Sequence, residues 1–178
     1  MTIVNIFDAV LAGDYKAFKN FYDGNINCIN KYTDLNLLQT VMCKEDKYDE
    51  RIKIISYLIK EGIDVNKVGG KAKGNALHIL YSSSNQVDEN YLMSVTKELV
   101  SAGIDINQKD KYGAIPFSNL IAGKIDNKLV EKIFCYLYKT GLDCSIKDNY
   151  GNSCLDYAKK FSWRMDVVEL MEKYENEN

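Results

Sequence analysis

His78 is the sole histidine of this 178-residue chain. Histidine is the first side chain to examine for acid–base work near neutral pH. As a catalytic base it would need a nucleophile or a second acid–base group in a recognisable arrangement, and no such motif accompanies it. A lone histidine also removes the multi-histidine zinc sites. Its setting, "NALH" at 75–78, gives a structural reading: the ring can hydrogen-bond the backbone of the turn before its helix. The run "VGGKAKGN" at 68–75 has the composition of a phosphate-binding loop but not its spacing. That loop requires G-x-x-x-x-G-K-[ST], and here Gly74 is followed by Asn75. The glycines fit a turn, and Lys71 and Lys73 remain available to an acidic partner.

Cys28, Cys43, Cys135, Cys144 and Cys154 show neither metal-ligand spacing nor a partner base, and they read as buried small residues. The acidic pairs Glu45/Asp46 and Asp49/Glu50 read as solvated surface. No glycosidase carboxylate pair or nucleophile elbow has supporting context. The expectation is a non-enzyme with no catalytic, cofactor-binding or metal-ligating residues and no cofactor.

The totals narrow the class. Apolar residues make up 46% and charged residues 27%, an ordinary globular balance. A net charge of -2 gains little from counterion release, so nucleic acid is not an expected partner. The opening stretch "MTIVNIFDAVLAGDYKAFKNF" lacks a basic leader, and Asp8 and Asp14 interrupt its apolar run. No window approaches the ~18 uninterrupted apolar residues of a membrane span. The expected setting is the cytoplasm, with reduced thiols and no membrane partner.

The elements that place these residues follow a beat. "EGIDVN" at 61–66 returns as "AGIDIN" at 102–107 and, altered, as "TGLDCS" at 140–145. Gly24, Gly62, Gly103 and Gly141 are separated by 38, 41 and 38 positions. Each follows a stretch of helical apolar spacing, as expected of a left-handed helix stop. A second marker lies upstream: "NLLQTVM" from Asn36, "NALHILY" from Asn75, "IPFSNLI" from Ile115 and "SCLDYAK" from Ser153, spaced 39, 40 and 38. Asn75 and Ser153 are expected N-caps. Leu38, Leu77, Phe117 and Leu155 share one face with Val41, Leu80, Leu120 and Ala158. Second-helix stripes are expected at Ile55/Leu58/Ile59, Val95/Leu99/Val100 and Ile133/Leu137/Tyr138.

On these paired motifs the chain resembles an ankyrin-repeat protein. "NALH" matches the start of that family's first helix, "IPFS" keeps its proline, "DKYG" and "DNYG" keep its hairpin, and "GIDVN" and "GIDIN" keep the end of its second helix. The resemblance implies an all-α fold: an ankyrin-like α-solenoid of stacked helix-turn-helix repeats with hairpin fingers. It covers one array over 1–178, with units near 2–31, 32–67, 68–109, 110–147 and 148–174 and a polar tail at 175–178. His78, Gly62, Gly103 and Gly141 are its structural motif residues.

These units exceed the family's ~33 residues. The excess is expected as insertions between the two helices at "CKEDKYDE", "SSSNQVDENY" and "AGKIDNK", with a compact second helix ending near Tyr174 in the last unit. Insertions in such arrays map to one face, often a binding face. Trp163 is expected as an anchor or as a cap over the end of the core.

The resemblance further implies a protein-binding module, monomeric in isolation, whose concave side presents fingers and first helices. Its expected contact residues are Lys111, Tyr112, Asn119, Asn149, Tyr150 and Tyr157. Aromatic residues at finger tips supply contact area at low entropic cost. An array with nothing attached is expected to cover a protein partner, as an inhibitor, an immunity-type antidote to a toxin or a host-directed effector. A structural subunit of a larger assembly is the other reading.

Overall fold

The computed structural model describes residues 2–83 and 88–176. Within them, ten α-helices form five consecutive pairs. These are α1 (Ile6–Leu11) with α2 (Tyr15–Phe21), α3 (Leu37–Val41) with α4 (Tyr48–Lys60), and α5 (Ala76–Ser83) with α6 (Glu89–Ser101). They are followed by α7 (Pro116–Ala122) with α8 (Asn127–Lys139), and α9 (Cys154–Lys160) with α10 (Met165–Asn176). Strands β1 (Ile29–Asn30) and β2 (Leu35–Asn36) form an antiparallel pair, Ile29 opposite Asn36. No described helix is long and apolar enough to cross a membrane.

Each helix packs on its pair-mate and on the equivalent helix of the next pair. The mostly helical chain thus has a row of short first helices and a row of second helices. Between the rows lies the core. Leu38, Leu77, Phe117 and Leu155 enter it from one side; Leu58, Leu99, Leu137 and Met171 enter from the other. Each such side chain contributes about 1.5–3 kcal/mol when fully buried. The expected stripes are buried at their first two members. Ile59, Val100 and Tyr138 are half-buried.

Starts and stops follow the residues. Asn36 accepts from the Gln39 N–H while the Gln39 side chain accepts from the Asn36 N–H, a reciprocal capping box. Ser153 and Asp156 repeat it at α9, and Asn75 accepts from the His78 N–H at 3.3 Å. At α7 the cap is Ile115, which has no side-chain acceptor, and Pro116 supplies the preset φ. Gly62, Gly103 and Gly141 have φ of 82°, 85° and 101°. Past each, a buried residue donates back to the last turn: Ile63 to Leu58, Ile104 to Leu99 and Leu142 to Leu137.

The extra residues of the middle units do not all become loops. Tyr48–Glu50, Glu89–Tyr91 and Asn127–Lys128 form the first turns of α4, α6 and α8, each 13 residues long. The connection from α7 to α8 is only 123–126. Electrostatics and capping explain this. Asp88 caps α6 and Asp126 caps α8, and Asp49, Glu50 and Glu89 sit at the positive helix ends. The α5–α6 connection, 84–87, lies outside the described residues. The last unit is built alike: α10 has 12 residues and continues through Glu175 and Asn176, past the expected end at Tyr174.

Candidate functional site

The two tyrosines singled out in the sequence sit on turns that build themselves. In the finger at 110–114, the Asp110 N–H donates to the Ala114 carbonyl at 2.9 Å. The Asp110 carboxylate accepts from the N–H groups of Tyr112 and Ala114. The finger at 148–152 repeats every bond, with Asp148 accepting from Tyr150 and Asn152. The glycine-rich 68–75 run forms a third finger, closed by a Gly69–Gly74 bridge. There Lys73 is paired with Asp34, whose carboxyl it holds below the usual range, whereas Lys71 is exposed and forms no ion pair among the described residues.

The fingers join side by side. The Lys111 N–H donates to Ala72 O and the Asn149 N–H to Tyr112 O, both at 2.9 Å. Asn149, which is exposed, takes part in this join. Its side-chain amide donates to Lys111 O at 3.1 Å, so it holds one finger against the next. Gly113, at φ 79°, permits the approach: a Cβ there would lie 2.6 Å from Asn149 Oδ1 and 2.8 Å from its N.

Four of the six expected contact residues meet in one place. Tyr112, Asn119, Tyr150 and Tyr157 line a cleft of about 240 Å³, with Asp110 and Asp148 among its walls. Lys111 and Asn149 do not line it. Tyr112 is 48% and Tyr150 75% exposed. The Tyr157 hydroxyl donates to Asp148 Oδ2, and this bond together with burial pushes its pKa up to about 12. Burial opposes ionisation of Asp148, but hydrogen bonds from Tyr157, Asn152 and Tyr150 outweigh it and hold the carboxyl below its usual range. Asn119 donates to His78 O at 3.3 Å and also lines a second cleft, of about 280 Å³, with Leu35, Gly70 and Ile79. The two clefts meet at Asn119 along the first-helix row.

His78 lies beside this face but is 3% exposed. Its Nε2 is 3.0 Å from the Ala114 carbonyl, which can only accept, so Nε2 carries the proton. Nδ1 accepts from the Asn75 N–H at 3.1 Å. Burial lowers its pKa, favouring the neutral ring. Both nitrogens are thus occupied. Gln39 does the same work one unit earlier, donating to Lys67 O and Gly74 O at 2.9 Å.

Trp163 stacks on Phe161 with centroids 4.7 Å apart and remains 46% exposed, so it does not close the core. Cys144 and Cys154 are buried and Cys28 and Cys135 half-buried, but Cys43 is exposed. It follows the last turn of α3, where its thiol donates to Gln39 O at 3.4 Å.

Two fully buried arginines escaped the sequence reading. Arg51 donates to Val10 O, Leu11 O and Val41 O and pairs with Asp46, joining the ends of α1 and α3. Arg164 donates to Leu120 O, Ile121 O, Gly123 O, Ile125 O and Asn127 Oδ1, fastening the α7–α8 connection to the last pair. The one available signal was an arginine at the start of an otherwise apolar second-helix face. No family model matches the chain, and no curated relative matches it.

Proposed function

We propose that the five helical pairs form an ankyrin-like solenoid, and that the chain is a non-catalytic module that binds and masks a protein partner. The observation that carries the binding reading is the meeting of Tyr112, Tyr150 and Tyr157 in a cleft beside two carboxylates, on fingers locked to one another by backbone hydrogen bonds. Rigid aromatic anchors in a preorganised surface are the physical requirement of a binding hot spot. The row-on-row helix contacts support the solenoid reading, because a unit with one apolar face is stabilised by stacking on the next. The occupied ring of His78 supports a structural histidine and a non-catalytic chain. The five free thiols support a reducing compartment such as the cytoplasm.

An antidote to a toxin enzyme is the specific form of masking this reading includes; a structural subunit of a larger assembly is the alternative. Purification from the native cell distinguishes them. A masking module yields one protein at near-stoichiometric ratio whose activity returns on release. A structural subunit yields a multi-component particle. Recovery of neither overturns the binding reading.

A further inference from the structure

The second-helix row carries a groove of its own, about 790 Å³ in volume, formed by α6 and α8 with one residue of α10. Its floor is apolar and half-buried: Met93, Cys135, Tyr136 and Leu170. Lys97, Lys128, Lys132 and Lys139 stand exposed along it. Glu89 and Glu131 are its acidic members. Four lysines against two glutamates give the groove a charge of +2 in a chain of net -2, so the remainder carries -4. Charge is therefore segregated onto this face.

The spacing is helical. Met93 and Lys97 lie one turn apart on α6. On α8, Lys128, Lys132 and Tyr136 recur at every fourth position, as do Cys135 and Lys139. The groove therefore runs along helices of 13 residues, about 20 Å. Lys132 is paired with Glu89 across it. Among the described residues, Lys97, Lys128 and Lys139 form no ion pair, and Lys97 lies 5.9 Å from the Tyr136 centroid.

We propose that this groove docks an acidic amphipathic helix of a protein partner. An apolar stripe at i, i+4, i+7 would cover Met93, Tyr136 and Leu170 while flanking carboxylates meet the three uncommitted lysines. Met93 and Tyr136 suit such a role, one adaptable and one a rigid amphipathic anchor. Glu89 and Glu131 disfavour a continuous phosphate array or a uniformly anionic membrane, but they leave room for carboxylates spaced one turn apart. The inference is independent of the finger cleft and stands if that cleft binds nothing.

The test uses the full chain and two synthetic peptides, each about four helical turns long. One has leucines at i, i+4, i+7 with glutamates elsewhere; the other replaces every glutamate by lysine. The acidic peptide should shift amide resonances in α6 and α8, with affinity falling steeply as salt rises. The exposed triple variant Lys97→Glu/Lys128→Glu/Lys139→Glu should weaken it roughly tenfold or more and should instead bind the basic peptide. No binding, shifts confined to the fingers, or equal binding by wild type and the triple variant would overturn the proposal. Binding of phosphatidylserine vesicles in place of the acidic peptide, abolished by the same variant, would also overturn it and assign the face to membranes.

Discussion

The side-chain carbonyl of Asn66 accepts the backbone N–H of Asp105, 39 residues further on, at 2.7 Å. Its amide donates to Gly103 O at 2.9 Å. Asn107 makes the same pair of bonds to Asp143 and Gly141. The asparagine that closes each "GID" phrase is thus a staple between successive units. Asn66→Ala and Asn107→Ala should each cost about 1–2 kcal/mol, the net worth of two hydrogen bonds. Urea unfolding should show midpoints shifted down with the slope unchanged.

Arg164 has a harder task. It is fully buried and satisfies four backbone carbonyls and the Asn127 side chain around the α7–α8 connection. Arg164→Met should cost at least about 3 kcal/mol, because those acceptors lose partners away from water. Arg164→Lys should recover little of it, since one ammonium cannot span a set of acceptors that the planar fork reaches. The same urea titration reads both variants.

These residues mark what the sequence could and could not convey. Gly62, Gly103 and Gly141 were legible because left-handed backbone selects one residue type, and Asn75 and Ser153 because a cap needs a short acceptor. Arg51 and Arg164 are not, because most of their partners are backbone carbonyl oxygens, which every residue carries. Of the acidic pairs that read as solvated surface, Asp49 and Glu50 begin α4, where their charges meet the helix dipole, whereas Glu45 and Asp46 stay in the connection before it. At the cleft, Tyr112, Tyr150 and Tyr157 were found by type and place. Asn149 has the same place but holds the neighbouring finger, a pairing that only the stacked geometry reveals.

Two glycines separate finger contact from backbone strain. Gly113 and Gly151 have nearly the same φ, 79° and 80°. A Cβ on Gly151 meets nothing within 4 Å, whereas one on Gly113 runs into Asn149. Gly151→Ala should cost about 1–2 kcal/mol from the left-handed conformation alone. Gly113→Ala should cost more, and the excess, read by thermal unfolding, measures the closeness of the two fingers.

His78 supplies the pH dependence near neutrality. Its folded pKa is lowered by burial, and the unfolded value is about 6.5. Above that pH both states hold a neutral ring and no penalty exists. As pH falls below it, the unfolded chain takes up a proton that the folded chain resists, so stability drops until the folded pKa is reached. Urea midpoints should therefore fall as the pH drops below about 6.5. His78→Gln should flatten that slope, because Gln39 already makes the equivalent bonds one unit earlier.

The binding reading is tested most directly by quantitative affinity purification from the native cell, comparing the wild type with Tyr112→Ala/Tyr150→Ala. Both side chains are exposed, so the variant should fold as the wild type does. One protein should accompany the wild type at near-stoichiometric ratio and fall by roughly tenfold or more with the variant. Equal recovery of the same proteins by both forms, or no stoichiometric companion for either, would contradict the account.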